Sequence, residues 1–416
     1  MKRLLFILLT AGMTFVFGIV VWQDMTRDWM RTQHAFVKTL DPKERKLVKT
    51  GIQQILVHDF NRVDRCTTCH VAIDKPQIAM DKEPYKAHPG DYLKWHPVEK
   101  FGCTVCHGGQ GLATQTADAH GDVPHWEEPL LRGDLVQASC ASCHGNLQKI
   151  ENHAPLLVQG KRLFTEKGCY GCHAIKDFGG QVSVELTEVG SKPYQLIHAD
   201  FEMMPPPHDR IHWIQAKLAS PRSLNPGVIP DKLPPGEEEV FPTHMPNFGL
   251  TDQERGALTV YLLSLRDFDP PSSYVDPAPP EPQPTYLTKV EEGRALFHKF
   301  GCVGCHNEEG VGGRHNWNAG LGEEVPSLLY VKVHYTEDEL KDLLRRGRQP
   351  AYRGNVHRPV PPAYMPAWKD RLTEDQIDAL VAYVYSLYDR VIQSEAAAEP
   401  PTQLSQSAEP SAVANP

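Results

Sequence analysis

Cys103-Thr-Val-Cys106-His107 carries a pattern that returns along the whole chain. Cys66-Thr-Thr-Cys69-His70 precedes it, and Cys140-Ala-Ser-Cys143-His144, Cys169-Tyr-Gly-Cys172-His173 and Cys302-Val-Gly-Cys305-His306 follow. The 416 residues include ten cysteines, and these five motifs use every one.

C-x-x-C-H is the attachment signature of c-type haem. The two thiols add to the porphyrin as thioethers, and the adjacent histidine reaches the iron as its proximal ligand. Zinc half-sites would have to pair, and they do not require a histidine after the second cysteine. Five motifs cannot pair evenly, and none lacks its histidine. A disulfide framework does not repeat one uniform spacing. The sequence therefore predicts five covalently bound haem c groups, with His70, His107, His144, His173 and His306 as proximal iron ligands.

Met1-Lys2-Arg3 is followed by nineteen uncharged residues, Leu4 to Trp22. That length just spans a bilayer as a helix. The run ends without a small-x-small cleavage site, so the expectation for residues 1–24 is an uncleaved transmembrane anchor. Lys2 and Arg3 would keep the N-terminus cytoplasmic, placing the haem domains on the periplasmic side of the cell membrane. No second hydrophobic span follows, so a quinol site would belong to another subunit. The net charge of -9 argues against a nucleic-acid partner and suits a basic redox partner, or serves solubility alone.

Residues 25–61 read as one or two amphipathic helices, which would either dock on a partner subunit or cover the first haem. Residues 62–155 hold three motifs whose first cysteines lie 37 residues apart. This segment has few apolar side chains between its Pro, Gly and polar residues, so haem faces would have to organise it. The expectation is a triheme domain of short helices and loops.

Residues 156–268 and 288–392 form an internal repeat. Gly160-Lys-Arg-Leu-Phe-Thr-Glu-Lys-Gly-Cys-Tyr-Gly-Cys-His173 and Gly293-Arg-Ala-Leu-Phe-His-Lys-Phe-Gly-Cys-Val-Gly-Cys-His306 agree at eight of fourteen positions. Downstream, Met245-Pro and Met365-Pro each lead to a capping box, Thr251-x-x-Glu254 and Thr373-x-x-Gln376, and then an apolar helical stripe. Between the repeats, the Pro-rich residues 269–287 predict an extended, semi-rigid linker. Residues 393–416 lack large apolar side chains and predict a disordered tail. The fold class is mainly α.

Both repeats resemble class I cytochrome c domains. The second, with Tyr364-Met-Pro-Ala-Trp-Lys-Asp-Arg-Leu-Thr373, is similar to the haem domains of diheme subunits in cbb-type cytochrome oxidases. The N-terminal third, with Val63-Asp-Arg-Cys-Thr-Thr-Cys-His70 and His96-Pro-Val-Glu-Lys-Phe-Gly-Cys103, resembles multihaem cytochromes beside bacterial quinol-oxidising complexes. The class I resemblance implies Met245 and Met365 as distal iron ligands, with Met203, Met204 and His244 as competitors for the first. The triheme segment has no Met-Pro loop and a single methionine, Met80. Its histidines His88, His96, His120, His125 and His153, with His58 just before, predict bis-histidine ligation instead. His88, His96 and His120 stand in small-residue or proline contexts that suit a ligand loop, and they are the distal ligands expected.

Axial-ligand identity spans about 0.8 V of haem potential. The series then runs from low-potential bis-histidine haems near the anchor to high-potential His/Met haems farther along. The expected function is electron transfer without catalysis, from membrane-embedded quinol-oxidising subunits to a soluble cytochrome c or a terminal oxidase. The alternatives are a haem subunit of the oxidase itself, or a multihaem peroxidase or oxyanion reductase.

Overall fold

A computed structural model describes residues 2–124, 126–180, 182–197, 202–224, 245, 247–279, 285–316, 318–320, 322–348 and 363–398. Of the residues weighed above, His125, His244, Pro246, linker residues 280–284 and tail residues 399–416 lie outside this set. The fold is mainly α, with one two-stranded hairpin among the described residues. The described residues fall into two compact units, one built from residues 2–167, 186–224 and 245–279, the other from 168–185 and 285–398. The repeat boundaries read from the sequence and this spatial grouping differ. The loop bearing Cys169–His173 groups with the later repeat, because its backbone packs on the Cys302–His306 turn.

In the first unit, helix α1 (Lys2–Met25) buries no side chain, as befits an apolar helix of spanning length. Helix α2 (Asp28–Thr39) follows. Of the one or two amphipathic helices expected, one forms. Residues 44–60 instead make two short 3-10 turns and strand β1 (Ile55–Val57), antiparallel to β2 (Arg62–Asp64). Gly51 explains part of this, with φ +97° in a stretch the sequence reading treated as helical. Phe36 and Leu40 of α2 pack with Val71, Ala72 and Ile78, just past the first motif, and Phe36 stacks on Tyr85 at 4.9 Å. Gln33, almost fully buried, donates to the carbonyls of Gly51 and Thr68, both at 2.8 Å.

Helices α3 (Pro155–Glu166), α4 (Arg210–Ala219) and α5 (Asp252–Ser264) complete the first unit. Pro155 opens α3 at a position where its missing N–H costs nothing. The capping box at Thr251 forms, Glu254 returning the bond to the Thr251 N–H at 2.9 Å. Helices α3 and α5 cross at Gly160, where a Cβ would press on the Ala257 carbonyl and lie 2.7 Å from the Tyr261 Cβ. Phe164 packs on Tyr261 at 5.5 Å.

The second unit repeats that crossing. Helices α6 (Lys289–Lys299), α7 (Glu337–Arg346) and α8 (Glu374–Ala398) form it. Gly293 of α6 meets the Ala379 carbonyl and the Tyr383 Cβ of α8, and Phe297 packs on Tyr383 at 5.3 Å. Each pair buries a helix face that one helix could not bury alone. Thr373 and Gln376 exchange the predicted capping bonds at 3.3 and 3.0 Å. Helix α8 runs six residues past 392, because its Ala-rich end continues a helix already nucleated by packing.

Residues 268–278 do not behave as a free spacer. Phe268 and Tyr274 pack on Phe60, Tyr274 bonds Asp59, and Asp276 pairs in parallel with His144. The Asp276 N–H donates to the Cys143 carbonyl and its own carbonyl accepts from Gly145, both at 2.8 Å. A proline-rich composition permits an extended strap, and the neighbouring surface supplies partners for its backbone.

Candidate haem-binding motifs and their axial partners

All five C-x-x-C-H motifs adopt one turn. The histidine N–H donates to the carbonyl of the first cysteine at 3.0 Å (His70), 2.9 Å (His107), 2.9 Å (His144), 3.1 Å (His173) and 2.9 Å (His306). No disulfide links the ten half-buried thiols. Burial pushes Cys140 up to about 11 and Cys172 and Cys302 up to about 12, with neighbouring thiols adding to the effect. A thiol held protonated is a poor redox nucleophile, so the motifs do not resemble activated dithiol sites.

The five histidines fit the role of neutral ligands. Burial lowers the pKa of each below its ordinary value. His107 Nδ1 lies 3.1 Å from the Leu131 carbonyl, His173 Nδ1 2.7 Å from Val184, and His306 Nδ1 3.4 Å from Pro326. A carbonyl on Nδ1 fixes the tautomer that leaves Nε2 for a metal.

In the segment of residues 62–155 each motif histidine faces a second one. The ring centres of His70 and His120 are 6.4 Å apart, those of His107 and His88 are 6.2 Å apart, and those of His144 and His96 are 6.2 Å apart. Two imidazoles bound through Nε2 on opposite sides of one metal, with N–metal bonds of about 2 Å, hold their centres roughly 6 Å apart. Edge-to-face ring contacts fall in the same range, and the interplanar angles of the three pairs are 41°, 76° and 82°. His88 and His96 also set Nδ1 against carbonyls, of Pro89 at 2.9 Å and Tyr92 at 3.2 Å. His120 Nδ1 instead meets the Arg132 guanidinium at 3.4 Å. His153 packs edge-on against Trp95 at 5.1 Å, and His58 is exposed.

Met365 is half-buried on a backbone pinned to Arg348 by bonds of 2.9 and 3.1 Å. Met245 is half-buried, Met204 is buried with its carbonyl 3.0 Å from His208 Nε2, and Met203 is half exposed.

Three polar residues organise the motifs and were not singled out from the sequence. Asp64 accepts from backbone N–H groups of two motifs, Gln33 holds the Thr68 carbonyl inside the first, and Ser139 Oγ donates to the Cys106 carbonyl at 2.6 Å. Only Asp64 carried a signal, two residues ahead of Cys66, and many exposed acids share such a position.

A family model described as Cytochrome c matches residues 157–266 and 290–388, just over half of the chain. The chain belongs to the cytochrome c family. Its two matched segments are the internal repeats, and cytochrome c domains of this kind carry covalently bound haem c, a one-electron carrier. A further similarity, 28% identity over 99 residues, is to the cbb3-type cytochrome c oxidase subunit CcoP of Helicobacter pylori (strain 52). It covers 24% of this chain and 28% of that protein, so the cytochrome spans well under half of the relative it matches. No solved structure matches the chain.

Proposed function

We propose that this cytochrome is a membrane-anchored pentahaem electron-transfer subunit. The observation that carries the reading is the set of three histidine pairs at 6.2–6.4 Å. They support bis-histidine haems at His70/His120, His107/His88 and His144/His96. A bis-histidine iron has no open position for substrate, which favours electron transfer over a peroxidase or oxyanion reductase. Met245 and Met365 would complete the haems of the two repeats, with thioether ligation raising their potentials. Helix α1 would hold the chain in the membrane with its haems in the periplasm. Electrons would enter at the low-potential haems from a quinol-oxidising subunit and leave through a repeat domain to a soluble cytochrome or terminal oxidase. Membership of an oxidase complex is the second reading, favoured by the similarity to CcoP.

The test is purification of the full chain from membranes with its partners. Mass spectrometry should find five haems, and redox titration with electron paramagnetic resonance should find three low-potential bis-histidine centres and two higher ones. Five centres of similar potential would overturn the reading. An oxygen-reducing core among the co-purified subunits, in place of a quinol-oxidising one, would select the second reading.

A further inference from the structure

Asp64 ends strand β2 and is wholly shielded from solvent, at 0% exposure. An unpartnered carboxylate in that position would cost several kcal/mol (~), so its partners define its role. They are backbone N–H groups at the starts of two motifs, joined by the Cys66 thiol. Cys66 donates to one carboxylate oxygen at 3.0 Å, and Cys103 and Thr104 donate to the other at 2.8 Å each. These bonds hold the carboxyl pKa below its ordinary value against the opposing effect of burial. The Asp64 carboxylate and the Cys66 and Cys103 sulfurs lie within 4.8 Å of one another. That cluster has the donor types of a metal site, but the C-x-x-C-H pattern commits both sulfurs to thioether bonds. What remains is one buried anion between the attachment points of two neighbouring haems.

We propose that Asp64 is a shared positioning residue for the first two haems. It fixes the first cysteines of both motifs relative to each other, and its charge lowers the reduction potentials of that pair alone. The physical reason is Coulombic: reduction adds an electron beside a fixed negative charge in a poorly screened interior. The inference rests on the reading of motifs one and two as haem sites, and it predicts which two of the low-potential centres are coupled to one protein charge.

The experiment uses the full-length holoprotein with Asp64→Asn and Asp64→Glu, haem counting, and a spectroscopic redox titration. Asp64→Asn should retain five haems while two midpoints move upward together and three stay in place. Asp64→Glu keeps the charge and should leave the pair low. No shift in Asp64→Asn, or a common shift of all five, would overturn the proposal. If Asp64→Asn yields no holoprotein, the Glu variant decides: full loading with the same two low midpoints supports the role, while raised midpoints or lost haem overturns it. A wild-type protein with fewer than five haems, or without bis-histidine signals, would instead sink the pentahaem reading itself.

Discussion

The backbone at Gly301 runs so close to Gly171 that a methyl group on Gly301 would lie 2.8 Å from the Gly171 Cα. A Cβ on Gly171 would in turn press on Gly304. Two C-x-x-C-H turns from different repeats thus touch through glycine, with Gly179 N–H donating to the Lys299 carbonyl at 3.0 Å beside them. Gly171→Val should cost about 1–3 kcal/mol through overpacking. A lower thermal midpoint with unchanged haem content would check it, and an unchanged midpoint would refute the contact.

The helix crossings should respond alike. Gly160→Val and Gly293→Val each drive a branched side chain into a facing carbonyl and a tyrosine Cβ. Each should destabilise its own helix pair by about 1–3 kcal/mol, read as an earlier denaturant transition. Gly256, with open space around its Cβ position, is the control, and Gly256→Ala should be neutral or slightly stabilising.

On the proposed bis-histidine reading, removal of a distal histidine should open one coordination position. His88→Ala, His96→Ala and His120→Ala are each expected to let the reduced protein bind about one further equivalent of carbon monoxide, judged by Soret difference spectra. His153→Ala, which removes a ring packed on Trp95, should add none.

At the start of α5, the Lys167 ammonium 2.7 Å away, followed by the Thr251 N–H, holds the Glu254 carboxyl down at about 2. The folded value lies below the ordinary 4.5, so the capping contribution is complete above pH 4.5 and is lost as pH falls toward 2. Lys167→Met should bring the Glu254 titration back toward 4.5, followed by NMR of a labelled carboxyl. A midpoint that stays near 2 would rule out Lys167 as the main cause.

The strap over the third motif separates two kinds of bond. Asp276→Pro removes the N–H that serves the Cys143 carbonyl, at a cost of about 0.5–1.5 kcal/mol. Lys149→Ala removes an exposed ion pair to the Asp276 carboxylate, worth about 0–1 kcal/mol. Limited proteolysis should cut residues 268–279 faster in the first variant and little faster in the second.

How much of this was legible in the sequence depends on the range of the interaction. The motif turns, the capping boxes and the repeat are local, and spacing alone displays them. His88, His96 and His120 stand out in the sequence only as candidates, by their small-residue or proline surroundings. The motif each one faces is set by a fold that brings residue 120 back to residue 70. Asp64 looked like any surface acid until Cys103, far along the chain, was seen to share its carboxylate. The Pro-rich stretch was read by composition, which reports stiffness and is silent on whether a neighbouring surface supplies backbone partners. Residues 44–60 carried apolar positions at helical spacing, and the turn at Gly51 with the 55–64 hairpin overrode them.

The strap also sets an order in time. Lys149 and Asp276 are 127 residues apart, and the loop between them contains the whole fourth motif. A chain made from its N-terminus therefore presents the Cys140–His144 turn uncovered while those residues are still being added. Forming that pairing closes a loop of 127 residues, whose entropic cost rises only slowly with length, so the strap can lie far along the chain at little penalty.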